Sequence, residues 1–300
     1  MTPIGRFAPT PSGDLHFGSL IGALGSYLSV KSQQGQWKLR IDDIDRPRVQ
    51  AGSIQHILKT LERFGLLWDG PVVYQSQRIE AYQDGFEQLK RKGLVYPCRC
   101  TRKEILAEAK LGLDGPIYPG TCRLSAAEDE RSFRVRTESE KLTWMDRHFG
   151  RQSMNLESEV GDFILWRVDG VPSYHLATVV DESLDGITEV VRGRDLLTST
   201  FRQIYLQQKL GYPSPSYLHL PLVINQRGKK LSKQTKAPSL EHSPVVPTLS
   251  RGLEFLGLSL PLALEANSPE EVLQWGVDHW NERDVPSQDQ LALLGPEAQD

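Results

Sequence analysis

Two short stretches of the sequence combine residue types that bind phosphate groups. In the first, residues 4–8 have the pattern of a strand, and Pro9 and Pro11 stiffen the loop that follows. His16-Phe17-Gly18-Ser19 then opens a run with apolar residues at helical spacing. A helix N-terminus favours an anion because its N–H groups are unpaired and its dipole is positive there. The stretch predicts an ATP site, although a histidine at a helix start is more often a cap.

The second stretch is Lys229-Lys230-Leu231-Ser232-Lys233-Gln234, which follows a predicted strand over 218–224 and a turn. A lysine ammonium is a compact charge that can follow the phosphates of ATP as they separate. Alone, such a run is more typical of a basic surface loop. The two stretches lie about two hundred residues apart, and together they favour nucleotide chemistry.

The three cysteines of the chain lie in one segment of 25 residues, at positions 98, 100 and 122. An odd, clustered count is a poor disulfide framework. Cys98 and Cys100 can place two thiolates on one zinc ion, Cys122 closes the loop, and Tyr118 is the candidate for the fourth position. His148 is the less favoured alternative. The competing interpretation is three reduced thiols beside a core tyrosine.

The order of the predicted elements is typical of a doubly wound parallel α/β sheet. Strands and helices alternate up to residue 93, and the alternation resumes with a helix at Tyr174. We therefore predict a Rossmann-like catalytic domain formed by residues 1–93 and 174–234. Between them, residues 94–173 are predicted to form an inserted α+β module that carries the zinc site. Its helix is expected to begin at a Thr101-x-x-Glu104 capping box and to end at Gly112.

Composition and charge set further bounds. The chain has 300 residues and 39% hydrophobic residues, enough for a substantial core. No apolar run of about 18 residues and no leader is present, so a cytoplasmic location is expected. Residues 239–300 hold 11 acidic and 2 basic residues, so the first 238 residues carry about +6 although the whole chain carries −3. This distribution permits RNA binding on one face.

The two phosphate-binding stretches resemble the HIGH and KMSKS signatures of class I aminoacyl-tRNA synthetases. RFAPTPSGDLHFGS and LRIDDID are similar to the glutamyl branch, and the resemblance runs from about Ile4 to Gln234. It implies activation of L-glutamate with ATP and Mg²⁺, followed by transfer to an RNA hydroxyl. It also implies that the insert holds the acceptor nucleotide of tRNA.

The resemblance also assigns roles to individual residues. Asp42 matches a glutamate that meets the α-amino group, and Ser19 stands where the second histidine of HIGH usually lies. The residues implied for glutamate binding are Arg6, Phe7, Ala8, Pro9, Thr10, Asp42, Tyr174 and Arg192. Those implied for catalysis and ATP binding are His16, Gly18, Ser19, Lys230, Ser232 and Lys233.

The length of the region after Gln234 indicates which RNA group accepts the glutamate. Residues 235–300 have helical signals, among them Ser268-Pro269-Glu270-Glu271, and 283–300 is expected to be a frayed tail. This is too short for the anticodon-binding domain of full-length glutamyl-tRNA synthetases. The chain therefore resembles the short members of the branch that transfer glutamate to queuosine in the anticodon loop of tRNA(Asp), and we expect a monomer.

Three alternatives stay open at this point. The first is a short synthetase that charges a tRNA 3′ end. The second is a nucleotidyl transferase that shares the His-x-Gly signature. The third is an inactive, zinc-bearing RNA-binding paralogue.

Overall fold

The computed structural model describes residues 2–112, 115–124, 131–226, 228–231, 237–261 and 268–291. Its strands are β1 (Ile4–Phe7), β2 (Gln36–Ile41), β3 (Val73–Tyr74), β4 (Val95–Cys98), β5 (Leu111–Gly112), β6 (Gly115–Pro116), β7 (Ser132–Val135), β8 (Lys141–Asp146), β9 (Gly150–Asn155), β10 (Ile164–Trp166), β11 (Glu189–Gly193), β12 (Ser216–Leu220), β13 (Val223–Ile224) and β14 (Gln290–Leu291). Its α-helices are α1 (Phe17–Lys31), α2 (Ser53–Arg63), α3 (Ile79–Arg91), α4 (Arg102–Glu108), α5 (Leu156–Glu159), α6 (Tyr174–Leu184), α7 (Leu197–Leu210), α8 (Val245–Phe255) and α9 (Pro269–His279).

Parallel strands form the centre of the fold. β1 pairs with β2 and β2 with β3, all in parallel, and β11 pairs with β12 in the same way. β1 and β11 lie side by side, since the N–H of Thr188 donates to the carbonyl of Ile4 at 2.9 Å. Helices connect successive parallel strands, as such crossovers require. The predicted α/β arrangement is therefore confirmed.

The helices are held by close packing on these strands. Gly5 allows α1 to approach β1, because a Cβ there would lie 2.4 Å from Cγ2 of Val30. One hydrophobic cluster gathers α1, α2, α8 and α9, and a second gathers α3, α6 and α7. The start of α1 is thereby fixed beside the carboxyl end of β1.

Strands β8 and β9 form a hairpin that the sequence analysis missed. Over 141–146 exposed residues alternate with half-buried ones, which hid the strand from a search for apolar runs. Tyr217 of β12 pairs in parallel with Asp146 of β8, so the hairpin extends the central parallel strands. These residues fall inside the segment predicted as the insert, but they pack with the catalytic sheet.

The rest of the predicted insert forms a small sheet of its own, in which β7 pairs antiparallel with β4 and β10. The predicted capping box is confirmed, because Thr101 and Glu104 each accept a hydrogen bond from the other's backbone N–H. The predicted helix end at Gly112 is wrong, since α4 stops at Glu108. Gly112 lies in β5, where a Cβ would meet the carbonyl oxygen of Glu159 at 2.5 Å, so close packing explains this glycine.

The strand predicted over 218–224 is interrupted. Pro221 separates β12 from β13, because proline has no N–H with which to continue the ladder. The break brings Leu220, Leu222 and Val223 to the wall of a cavity at this end of the sheet. The turn is therefore part of the candidate site.

The predicted frayed tail over 283–300 is wrong for residues 283–291, which are ordered against the sheet. Residues 292–300 lie outside the described residues. β14 pairs in parallel with β13. Before it, a carboxylate oxygen of Asp289 accepts from the N–H of Leu222 at 2.7 Å, and the other pairs with Arg194 at 2.7 Å. These contacts are distant in sequence, so no local pattern indicated them.

The helices α8 and α9 pack on α1 and on each other. The predicted cap of α9 is confirmed, with Ser268 Oγ accepting from the N–H of Glu271 at 3.3 Å and Pro269 in the first turn. Among the helices in the described ranges, none is both long and apolar enough to cross a membrane.

Candidate active site and metal centre

A cavity of about 460 Å³ opens at the carboxyl ends of β1, β11 and β12, the edge where open α/β sheets bind ligands. It brings together residues from both predicted halves of the catalytic domain. The predicted site residues that line it are Arg6, Phe7, Ala8, Pro9, Thr10, His16, Gly18, Ser19, Tyr174, Arg192 and Lys230.

His16 is both a helix cap and a residue of the cavity wall. The N–H of Ser19 donates to its Nδ1 at 3.3 Å, and the N–H of His16 lies 3.4 Å from Oγ of Ser19, so the two form a reciprocal capping box. Because Nδ1 accepts, the proton of the neutral ring lies on Nε2. The capping role and the ligand-binding role are therefore compatible in one side chain.

Gly18 keeps the start of α1 open to a ligand. A Cβ at this position would lie 3.1 Å from Cε1 of His16 and 3.5 Å from the carbonyl oxygen of Leu231. Any side chain would press on the imidazole and fill the space between α1 and the lysine-rich stretch. The sequence-based reason for a glycine here fits this geometry.

The lysine-rich stretch begins at the cavity. Leu231 N–H donates to the carbonyl of Val223 at 2.7 Å, and the ammonium of Lys230 forms an ion pair with Asp195. Ser232 and Lys233 lie outside the described residues. The segment after them returns to the same place, since Ser239 bridges to His16.

Arg6 lies at the end of β1 and is almost fully buried. Its Nε donates to a carboxylate oxygen of Glu182 on α6 at 3.1 Å, and Nη2 lies 3.0 Å from the same oxygen. Burial lowers the pKa of Arg6, and the charges of Arg40 and Arg192 lower it further, against the raising effect of Glu182. Arg6 therefore lies within electrostatic reach of Arg192, and both line the same cavity.

Arg192 lies at the end of β11 and is also buried, with 6% of its surface exposed. Its hydrogen bonds go to neutral groups: Nε donates to Nε2 of His219 at 3.2 Å, and Nη2 donates to Thr200 at 2.8 Å and to Gln203 at 2.7 Å. Nη1 is buried and has no partner in the part of the chain that the structure describes. Arg192 lines the cavity, so its guanidinium group suits an anion bound there.

Asp42 and Tyr174 are placed differently from one another. Tyr174, 38% exposed, lines the cavity at the start of α6. Asp42 is not among the residues that line it, and its carboxylate accepts from Nε of Arg40 at 2.6 Å. Burial raises the pKa of Asp42, although the adjacent Arg40 opposes this. The structure thus brings Tyr174, but not Asp42, to the cavity wall.

Several residues that shape the site were missed by sequence reasoning. Asp195 lines the cavity and pairs with Lys230, and Glu182 supports Arg6 from behind. The one available signal was the pair of acids Asp181-Glu182 inside an apolar helical run, which is unusual for a buried helix face.

The three cysteines meet in one cluster within the predicted insert. Their sulfur atoms all lie within 4.8 Å of one another. The hydroxyl oxygen of Tyr118 lies 3.4 Å from Sγ of Cys98 and 3.5 Å from Sγ of Cys100, and Cys122 lies 3.5 Å from Cys100. Three sulfurs and one oxygen at this spacing fit the donor set of a four-coordinate zinc ion.

Two neighbouring residues bear on this metal centre. The guanidinium of Arg134 lies over the ring of Tyr118 and donates to Sγ of Cys98 at 3.3 Å, so it holds both candidate ligands in place. His148, the alternative fourth ligand, is on the β8–β9 hairpin with Nε2 3.1 Å from the carbonyl of Pro286. The geometry therefore favours Tyr118 over His148.

Comparison with known proteins identifies the family. The model for the catalytic domain of class I tRNA synthetases (E and Q) matches residues 4–246. The chain belongs to this family. It is similar to a glutamyl-Q tRNA(Asp) synthetase of Aromatoleum aromaticum, with 50% identity over 97% of this chain and 93% of that protein. It is also similar to one of Dechloromonas aromatica, with 48% identity over 96% of this chain and 97% of that protein.

A solved structure agrees with this membership. A glutamate tRNA ligase from Elizabethkingia meningosepticum, crystallised with its amino acid, has a TM-score of 0.79 and 25% identity, covering 97% of this chain and 67% of that one. The synthetase is therefore a ligase of the aminoacyl-tRNA synthetase type with the α/β catalytic domain of class I. The resemblance stated from the sequence motifs is confirmed at this level.

The site of this synthetase combines two kinds of anion-binding group in one cavity. The N-terminus of α1 with His16 and Gly18 suits a phosphate, and the guanidinium groups of Arg6 and Arg192 suit carboxylates. No acid–base pair is needed to join a carboxylate to a phosphate, because the arrangement can work by positioning and charge stabilisation.

Proposed function

We propose that this synthetase activates L-glutamate with ATP and transfers it to the queuosine base of tRNA(Asp). The observation that carries the proposal is the pair Arg6 and Arg192, buried in the cavity that also holds the start of α1. Two cations suit a substrate with two carboxylates, because a hydrogen bond to a charged group contributes about 1.5–3 kcal/mol. The names of the two relatives described above support the queuosine base of tRNA(Asp) as the acceptor.

Activation proceeds by attack of the α-carboxylate of glutamate on the α-phosphorus of ATP, with pyrophosphate as the leaving group. His16 donates from Nε2 to a phosphate oxygen, and Gly18 lets the nucleotide reach the backbone of α1. Lys230, Ser232 and Lys233 stabilise the charge that develops on pyrophosphate. Mg²⁺, which accompanies ATP, neutralises phosphate charge when bound.

Ser19 and Asp42 act indirectly in this proposal. Ser19 holds the imidazole of His16 through the capping box, so it orients a phosphate donor. Asp42 is bonded to Arg40, and Arg40 lies 3.6 Å from Asp181, next to Glu182 in α6. Tyr174 and the backbone of residues 7–10 complete the wall around the amino acid.

The metal centre has a structural role in this proposal. Cys98, Cys100, Cys122 and Tyr118 would hold zinc, which ties β4 to the loop after β6. Zinc bound there would make the insert rigid, because its ligands belong to a hydrophobic cluster of the insert and do not line the cavity.

The acceptor is proposed to bind between the insert and the catalytic sheet. A groove of about 720 Å³ runs from Tyr118 to Tyr174 and is lined by Arg134, Arg167 and Arg202. Arginine side chains and the partly exposed ring of Tyr174 suit the phosphates and unstacked bases of an RNA loop. We therefore propose that the insert holds the acceptor nucleotide and that the synthetase acts in the cytoplasm as a monomer.

Transfer to tRNA tests this proposal. Labelled glutamate should reach tRNA(Asp) from queuosine-containing cells and should fail to reach the unmodified transcript. Removing only the 3′ nucleotide of the modified tRNA should leave acceptance intact. If that removal abolishes acceptance, the enzyme charges a 3′ end. If no glutamate-dependent exchange of pyrophosphate into ATP occurs, it does not form an adenylate.

A further inference from the structure

The arrangement around Arg192 assigns a role to two residues beyond those matched by motif. Arg192 uses Nε and Nη2 for hydrogen bonds within the protein and leaves Nη1 without a partner in the described residues. The direction of Nη1 therefore depends on the groups that hold Nε and Nη2. One of these, His219, is fully buried on β12.

His219 can accept from Arg192 in only one of its protonation states. Its Nδ1 lies 2.7 Å from a carboxylate oxygen of Asp146, and its Nε2 lies 3.2 Å from Nε of Arg192. A proton on Nδ1 donates to Asp146 and leaves the Nε2 lone pair for the Arg192 N–H. A proton on Nε2 would instead face that N–H, and the bare Nδ1 would face a carboxylate.

Asp146 is itself held in place. Its other carboxylate oxygen accepts from the N–H of His148 at 3.0 Å and of Phe149 at 2.8 Å, at the turn of the β8–β9 hairpin. Asp146 is therefore a fixed acceptor at the end of β8, the strand next to β12. The chain Asp146, His219, Arg192 crosses from β8 through β12 to β11 and ends at the cavity.

The two guanidinium groups of the site are supported differently. Arg6 has a carboxylate of its own, Glu182, at 3.0 Å. Arg192 is bonded to an imidazole, a hydroxyl and an amide, so within the described part of the chain no directly bonded acid offsets its charge. A neutral His219 therefore orients Arg192 without neutralising it, and the full charge stays available to a carboxylate of the substrate.

We propose that His219 is a positioning residue for glutamate, with Asp146 selecting its tautomer, so that the guanidinium group of Arg192 is held in the orientation that binds a substrate carboxylate. The inference rests on the proposed function, since it needs glutamate in this cavity. The proposed role concerns binding of the amino acid and not of ATP, because Asp146, His219 and Arg192 belong neither to α1 nor to the lysine-rich stretch.

Two substitutions of His219 separate its two hydrogen bonds. The amide of Asn reaches the position of Nδ1, so His219→Asn keeps a donor for Asp146 and loses the acceptor for Arg192. The amide of Gln reaches the position of Nε2, so His219→Gln keeps an acceptor for Arg192 and loses the bond to Asp146. His148→Asn is the control. His148 lies in the turn of the hairpin that carries Asp146, but its ring contacts the carbonyl of Pro286 and neither Asp146 nor Arg192.

The measurements are glutamate-dependent exchange of pyrophosphate into ATP, with KM determined for each substrate, and calorimetric binding of glutamate alone. We expect His219→Asn to raise the KM and the Kd for glutamate about tenfold or more, as loss of a charge-assisted contact does, with the KM for ATP within about twofold. His219→Gln should recover glutamate binding to within about threefold of the parent, and His148→Asn should match the parent.

A further variant tests the same role in case His219→Asn does not fold. Asp146→Asn places an amide N–H where His219 now finds an acceptor, which reverses the tautomer and should produce the same glutamate-specific loss. If folded His219→Asn or Asp146→Asn binds glutamate as the parent does, or if His219→Gln is as defective as His219→Asn, the positioning role is overturned. If the parent itself shows no glutamate-dependent exchange, the proposed function fails instead, and the inference falls with it.

Discussion

Arg6 and Glu182 form a buried ion pair behind the candidate active site, although they lie 176 positions apart in the sequence. The second carboxylate oxygen of Glu182 has no hydrogen-bond partner within the described ranges. In a buried pair each charge offsets the other, and removal of either partner leaves a single buried charge, which lowers the stability of the fold. The affinity of the site for an anion and the stability of the fold are therefore coupled at this pair.

Substitution of Glu182 by Gln tests this coupling. The amide oxygen can still accept from Arg6, but the buried guanidinium loses its counter-charge, so the free energy of unfolding should fall by about 3 kcal/mol. Saturating glutamate should restore part of this loss, because its carboxylate replaces the missing charge. Denaturation in urea with and without glutamate measures both effects.

The control for that experiment is Glu157→Gln, which breaks a half-exposed pair with Arg123. Surface pairs contribute about 0–1 kcal/mol, so this variant should unfold almost as the parent does. Equal losses in the two variants would contradict a special role for the buried pair.

Lys233→Ala tests the proposed contact with pyrophosphate. If Lys233 stabilises charge that develops only in the transition state, kcat of pyrophosphate exchange should fall about 100-fold or more while the KM for glutamate changes little. Lys229→Ala, at an exposed lysine of the same stretch, is the matched control and should keep most of the activity. Equal rates for Lys233→Ala and the parent would exclude this role.

The metal centre predicts one equivalent of zinc per chain. Cys100→Ser should release the ion and lower the melting temperature, because structural zinc contributes directly to folding. Tyr118→Phe should weaken zinc binding if its oxygen is the fourth ligand, whereas Tyr96→Phe, which removes the nearby hydroxyl bonded to Asp162, should retain the metal. Elemental analysis of the purified variants reports this, and a metal-free parent that is folded and active would refute the assignment.

The buried His219 predicts a loss of stability in mild acid. Burial lowers its pKa to about 4, despite the raising effect of Asp146. Between the unfolded pKa of about 6.5 and this value, the unfolded chain binds the proton and the folded chain does not, so stability falls as the pH is lowered through this window, by about 3 kcal/mol. Urea denaturation at a series of pH values measures the slope.

His219→Gln should flatten that slope, because glutamine does not titrate. His242→Gln, at a histidine 91% exposed, is the control and should leave the slope as in the parent. A parent whose stability does not change between pH 6.5 and 4.5 would contradict a neutral, buried His219.

Features decided within a few residues of sequence could be predicted. Prolines stiffen the loop before His16, and the capping boxes at Thr101 and Ser268 close within one helical turn, so their positions follow from local chemistry. The motif match then brought Arg6 and Arg192 into one site, and both line the observed cavity.

Features that depend on contacts between residues distant in sequence could not be predicted. Asp42 was expected at the amino acid, whereas in the structure its carboxylate accepts from Arg40. Arg40 in turn lies 3.6 Å from Asp181 of α6, a contact that is distant in sequence. The hairpin over 141–155 has too few apolar residues to stand out, and its attachment to β12 is visible only in three dimensions. Glu182 and His219 lie in apolar runs, and the partners that give them a role, Arg6 and Arg192, are distant in sequence.

The pairing of β14 with β13 limits how this enzyme can be divided into modules. β13 leads directly to Lys229 and Lys230, so the residues near the chain end share a ribbon with the loop that carries the lysines. Cutting the chain at residue 235 to exchange the helical region with that of another synthetase would remove the partner strand of β13. The region after residue 235 thus supports one wall of the active site through β13, and engineering of the acceptor specificity should keep both pieces together.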